Sequence, residues 1–266
     1  MLEPTERAPE RLPDPEWTAL QAALKPAVRM TMAEPRARAL LARLAARDVA
    51  GAIGSCGKPA EVALYVARER GRVAALVEAE RRTLEGRGAD ERAVGHEALG
   101  ALLGYPSCCV GAFVAHARGF DGPTSPLREA HEDVVHARAA LAKTTRARAR
   151  LNALLWPQRR LLVSFYPCAY DCPRALAYAA ALEHELARRA PEATAALLED
   201  LACTVLVDED GARAVARRDG RIVEPPRGAG AAAREIDRAL AARLEAARAA
   251  GASTPTTLTT IAFDAR

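Results

Sequence analysis

The sequence predicts an α+β protein, predominantly helical, with a small antiparallel sheet late in the chain. Apolar residues recur at helical spacing from Trp17 to about Leu201, and from Thr204 the period drops to two. Half of the 266 residues are hydrophobic, enough to bury a core without disulfide staples.

Residues 1–15 carry Pro4, Pro9, Pro13 and Pro15 among charges and read as a flexible arm. Helices are expected over about 16–30 and 35–47, the second opened by Pro35, whose missing N–H would have no partner in a first turn. The stretch Gly51 to Pro59 invites comparison with a phosphate-binding loop and fails it. Five residues rather than four separate Gly51 from Gly57, and Pro59 stands where the magnesium-binding hydroxyl belongs. It reads as a loop leading into a helix over 59–70.

Further helices are expected over 73–84, 91–103 and 108–117, and a long amphipathic one from Pro126 to Leu155. The apolar run Leu161 to Phe165 reads as a strand, followed by helices over 173–189 and 192–201. Runs at 204–207, 212–216 and 221–223, separated by turns at Asp208–Gly211 and Asp219–Gly220, read as hairpin strands. A helix over 230–250 and a strand over 257–263 close the chain. The division this suggests is the arm at 1–15, a helical cysteine-bearing domain at 16–202, and a small hairpin, helix and strand subdomain at 203–266 packed on it.

The net charge of +4 is dispersed and carried almost wholly by arginine, with lysine only at positions 25, 58 and 143. That pattern argues against a nucleic-acid partner. The densest basic stretch, Lys143 to Arg160, reads first as a solvated helix face. No secretory leader and no run of roughly 20 apolar residues stands out, so a cytoplasmic protein with no membrane partner is expected.

Four of the six cysteines lie in two pairs behind Tyr-Pro dipeptides, Tyr105-Pro106-Ser107-Cys108-Cys109 and Tyr166-Pro167-Cys168-Ala169-Tyr170-Asp171-Cys172. In a reducing compartment, clustered thiols bind metal or do redox chemistry. Both pairs fall at expected helix starts, where free amides and the helix dipole favour thiolates. Adjacent cysteines point in different directions, which disfavours one tetrahedral zinc and favours a larger cluster. The expectation is therefore one [4Fe-4S] cluster on Cys108, Cys109, Cys168 and Cys172, with zinc as the alternative and metal-free thiol or sulfur-transfer chemistry as a third reading. If the protein is an enzyme, an iron-sulfur-dependent oxidoreductase, lyase or sulfur-transfer activity follows, and the partner is a small-molecule substrate or a redox protein. The zinc reading instead makes the chain a structural module with an arginine-rich partner surface.

Tyr105, Tyr166 and His116 are the candidates for catalytic roles, the tyrosines beside the thiols and His116 two turns beyond Cys109. Cys56 is a possible fifth thiolate, Cys203 a buried small hydrophobe, and Asn152 a polar residue among apolar ones. Asp133 and His136 share a helix face, but a di-iron bundle needs two such pairs.

The Cys-Cys pair followed by a short-spaced pair is similar to the cysteine-rich domains of heterodisulfide-reductase-type proteins, except that Val110 replaces their glycine. Gly104-Tyr105-Pro106-Ser107-Cys108-Cys109 and Pro167-Cys168-Ala169-Tyr170-Asp171-Cys172 also resemble an uncharacterised archaeal and bacterial family, over about residues 95–205. That resemblance implies one site made of four cysteines and no particular activity.

Overall fold

The computed structural model describes residues 12–57, 60–119, 126–155, 161–207, 213–216, 222–223, 239–242, 244–246 and 259–264, with the backbone alone at 126–133, 213–216 and 222–223. The chain is α+β with helix dominant, as its periodicity predicts. Among the described residues, no helix is long and apolar enough to cross a membrane.

Helix α1 (Pro15–Gln21) starts at Asp14, whose carboxylate accepts the Trp17 amide at 3.0 Å. It is shorter than expected. After a turn with Ala23 at positive φ, the chain enters β1 (Ala27–Met32), then α2 (Glu34–Ala45), β2 (Ala50–Ser55) and β3 (Val62–Ala67). These strands form an antiparallel sheet in the order β1-β3-β2.

This early sheet replaces the helix expected to about 30, the loop at 51–57 and the helix at 59–70. Its central strand is buried on both faces. Ala63, Tyr65 and Ala67 pack with Val73 and Leu76, while Leu64 and Val66 pack with Leu20, Ala37 and Leu44. A strand covered twice shows a continuous apolar run instead of alternation, and that run is shared by buried helices. In β2, a side chain at Gly54 would stand 3.1 Å from the Tyr65 ring, so glycine lets the ring lie against the backbone.

Helices α3 (Arg70–Glu85) and α4 (Ala89–Leu102) pack against one another beside the sheet. Arg29 of β1 grips Glu80 of α3 through two hydrogen bonds of 2.5 and 2.6 Å. Next come α5 (Ser107–Ala117) and α6 (Pro126–Leu141).

The long helix expected to Leu155 stops at Leu141. Thr144 turns the chain: its hydroxyl donates to the Ala140 carbonyl at 2.7 Å and accepts the Tyr170 amide at 2.8 Å. Thr145 then donates amide and hydroxyl to Asp171. A 3-10 turn at Ala149–Leu151 follows. Residues 161–165 form no strand; Leu161, Leu162, Val163 and Phe165 are apolar because they are buried.

Helix α7 (Pro173–Arg189) inserts Ala175, Ala179, Leu182 and Leu186 into the largest core cluster, and α8 (Pro191–Leu201) follows directly. Strands β4 (Thr204–Val207), β5 (Arg213–Ala216), β6 (Ile222–Val223) and β7 (Thr259–Ala262) form the late antiparallel sheet, in the order β6-β5-β4-β7. Val205, Val207 and Ile261 share the core of α7 and α8. Residues 239–242 and 244–246 are helical; most of the helix expected over 230–250, both hairpin turns and most of the 1–15 arm lie outside the described residues.

Candidate metal centre

Two helix starts converge on one point. Pro106 precedes α5 and its carbonyl accepts the amides of Cys109 and Val110, which places Cys108 and Cys109 in the first turn. Cys172 is the N-cap of α7, with Pro173 as the first helical residue. Arg174, in the first turn of α7, donates to the Ser107 hydroxyl at 2.9 Å and links the two starts.

The sulfurs of Cys108, Cys109, Cys168 and Cys172 all lie within 4.8 Å of one another, close enough to hold a metal ion. Cys108 Sγ is 3.6 Å and Cys109 Sγ 3.9 Å from Cys172 Sγ. The adjacent residues therefore reach the same partner, the N-cap sulfur of α7, and their own sulfurs stay within 4.8 Å of each other. Cys109 and Cys172 are buried, whereas Cys108 and Cys168 are partly exposed.

The Cys168 amide donates to Cys109 Sγ at 3.4 Å. Burial pushes the Cys109 thiol up despite that amide, and it pushes Cys168 up to about 11, with the Cys172 and Cys108 sulfurs adding to the rise. Cys172 moves the other way. Burial opposes its ionisation, yet the Ala175 amide and hydrogen bonds from the other three thiols outweigh burial and lower its pKa. In the metal-free site, Cys172 ionises more readily than an ordinary thiol. Two helix N-termini and these amides suit a group that gathers negative charge.

Tyr105 stands beside the cluster on a buried polar network. Its hydroxyl lies 3.2 Å from Ser164 Oγ, and Ser164 donates to Glu16 at 2.6 Å. Lys25, fully buried, donates to Glu16 at 2.5 Å and lies 4.5 Å from the centre of the Tyr105 ring. Nothing local in the sequence marks this network, because its members are separated by up to 148 residues. Tyr166 stacks on His136, which also stacks on Phe113, both with ring centres 4.7 Å apart. His116 meets His136 with their Nδ1 atoms 3.3 Å apart.

The other candidates sit elsewhere. Cys56 is buried at the end of β2, donates to the Glu61 carbonyl, and is not part of the four-sulfur group. Cys203 is buried in the main core, as expected. Asn152 is buried and donates to the Leu201 carbonyl at 3.0 Å while accepting the Leu154 amide, so it fastens the end of α8. The Asp133 side chain lies outside the described residues. In the basic stretch, Arg146 pairs with Asp264 and Arg150 with Glu183.

No curated protein and no solved structure matches the chain. Residues 73–192, from α3 to the start of α8 and including all four clustered cysteines, match the model of a family described as a protein of unknown function, DUF483.

Proposed function

We propose that Cys108, Cys109, Cys168 and Cys172 hold a single metal ion as a tetrahedral thiolate centre, with zinc as the ion, and that this centre binds the start of α5 to the start of α7. The sulfur spacing carries the reading. A tetrahedron with metal–sulfur arms of about 2.3 Å has edges of about 3.8 Å. The two closest described separations, 3.6 and 3.9 Å, bracket that edge. In a cubane cluster each cysteine caps a different iron, so the sulfurs stand on the order of 6 Å apart.

Four thiolates around a divalent ion leave two net negative charges, which the helix starts of α5 and α7 and the amides of Cys168 and Ala175 offset. The bound ion would supply fixed geometry and keep all four sulfurs deprotonated. Cys108 and Cys168 form the open side, where a small molecule or a redox partner reaches the centre. Tyr105 and Tyr166 then act by positioning, Tyr105 against Ser164 and Tyr166 against His136.

A [4Fe-4S] cluster remains the second reading, favoured by the all-thiolate donor set and the partial exposure of two ligands. It requires the four side chains to spread outward from their present spacing. Metal and acid-labile sulfide are to be measured on protein purified without oxygen. One zinc per chain without sulfide supports the centre proposed, and iron with matching sulfide replaces it with a cluster. A metal-free protein that also takes up no zinc on addition would leave thiol chemistry.

A further inference from the structure

Two turns along α5 from Cys109, a second group of metal-ligating side chains comes together. His116, near the end of α5, faces His136 of α6, and the two Nδ1 atoms are 3.3 Å apart with the rings at 62°. We propose that His116 and His136 form a second, imidazole-type site for a divalent transition-metal ion such as zinc, cobalt or nickel.

The separation fits a shared ion. Metal–nitrogen bonds of about 2.0–2.1 Å in a tetrahedral field set two ligand nitrogens about 3.3–3.4 Å apart. Without an ion, the same separation lets the two rings share an Nδ1–H hydrogen bond, one donating and the other accepting.

The ring of His136 is held before any ion arrives. It is 4% exposed and lies nearly parallel to both Phe113 and Tyr166, at 11° and 20°. A ligand fixed by packing loses little entropy on binding. His116 is only partly buried, which gives the ion a path from solvent and leaves coordination positions for water or a small ligand. Both rings are neutral near neutral pH, the form that binds metal: burial pushes His136 down to about 3, with His116 and His96 adding to the shift, and burial with Lys143 lowers His116. Imidazole pairs suit zinc, cobalt, nickel and copper, whereas the four-thiolate group selects softer chemistry.

The two sites are joined through the same elements. Cys109 and His116 lie seven residues apart on α5, a rise of about 10 Å. Tyr166, stacked on His136, is two residues from Cys168. This inference does not depend on what the cysteines hold.

The test uses full-length protein given one equivalent of zinc and freed of excess, then titrated with Co2+ by calorimetry, visible absorption and the histidine ring signals in proton NMR. Wild type is expected to bind one cobalt without thiolate charge-transfer absorption, with the His116 and His136 ring signals broadened. His116→Ala should weaken that equivalent by about 100-fold or more, and the exposed His184→Ala should leave it unchanged. If His116→Ala perturbs folding, His116→Gln serves in its place. Absence of a cobalt equivalent in wild type, or one that survives both His116 substitutions, overturns the proposal. Should the cysteines hold no metal, cobalt adds a thiolate-free equivalent that still depends on His116, so the two readings fail separately.

Discussion

Cys172 Sγ, at the N-cap of α7, lies 3.6 Å from Cys108 Sγ in the first turn of α5, across 64 residues of chain. That contact makes the start of α7 depend on the cluster. Cys172→Ser is expected to release the metal and to lower stability by about 4 kcal/mol or more, the range reached when a structural metal is lost. Metal analysis and chemical denaturation of the same preparation check both effects.

Gly104 sets the angle at which the chain leaves α4 for the cysteine turn. Its φ is +77°, and a Cβ there would meet Pro26 Cδ at 2.5 Å. Gly104→Ala carries both the left-handed backbone penalty and that clash. A loss of roughly 2 kcal/mol or more is expected, read as a lower denaturation midpoint at unchanged slope.

Lys25 stays charged inside the protein, because the pull of Tyr105 and Glu16 outweighs the cost of its burial. Removing one member of a buried pair leaves the other charge uncompensated. Lys25→Met should cost about 3 kcal/mol, and adding Glu16→Gln should restore part of it. A double-mutant cycle showing simple additivity would contradict the coupling.

The Tyr105 hydroxyl lies 3.2 Å from Ser164 Oγ, a hydroxyl and not a thiol. Tyr105→Phe should therefore cost about 1 kcal/mol of stability and leave the metal content unchanged. Loss of metal in this variant would place Tyr105 in the centre itself.

The helices from α3 onward were legible because their apolar stripes are regular, and proline marks the starts of α7 and α8. The placement of Cys108, Cys109 and Cys172 at helix starts was legible for the same reason, whereas Cys168 lies in the irregular segment ahead of α7. The early sheet was not: Val62 to Ala67 is covered on both faces, and β2 carries glycines that read as a loop. The end of α6 was hidden because the hydrogen bonds that stop it come from Tyr170 and Asp171, across a gap of 26 residues. The apposition of His116 and His136 likewise arises from helix packing, which leaves no local trace. Sequence spacing disfavoured Cys108 and Cys109 as ligands of one ion; in the fold their sulfurs nonetheless lie 3.6 and 3.9 Å from Cys172 Sγ.

X-ray absorption at the metal edge, on protein carrying one equivalent, tests the four-sulfur centre most directly. A single shell of four sulfurs at about 2.3 Å with no metal–metal scattering is expected. A short metal–metal vector, or nitrogen or oxygen in place of any of the four sulfurs, would contradict it.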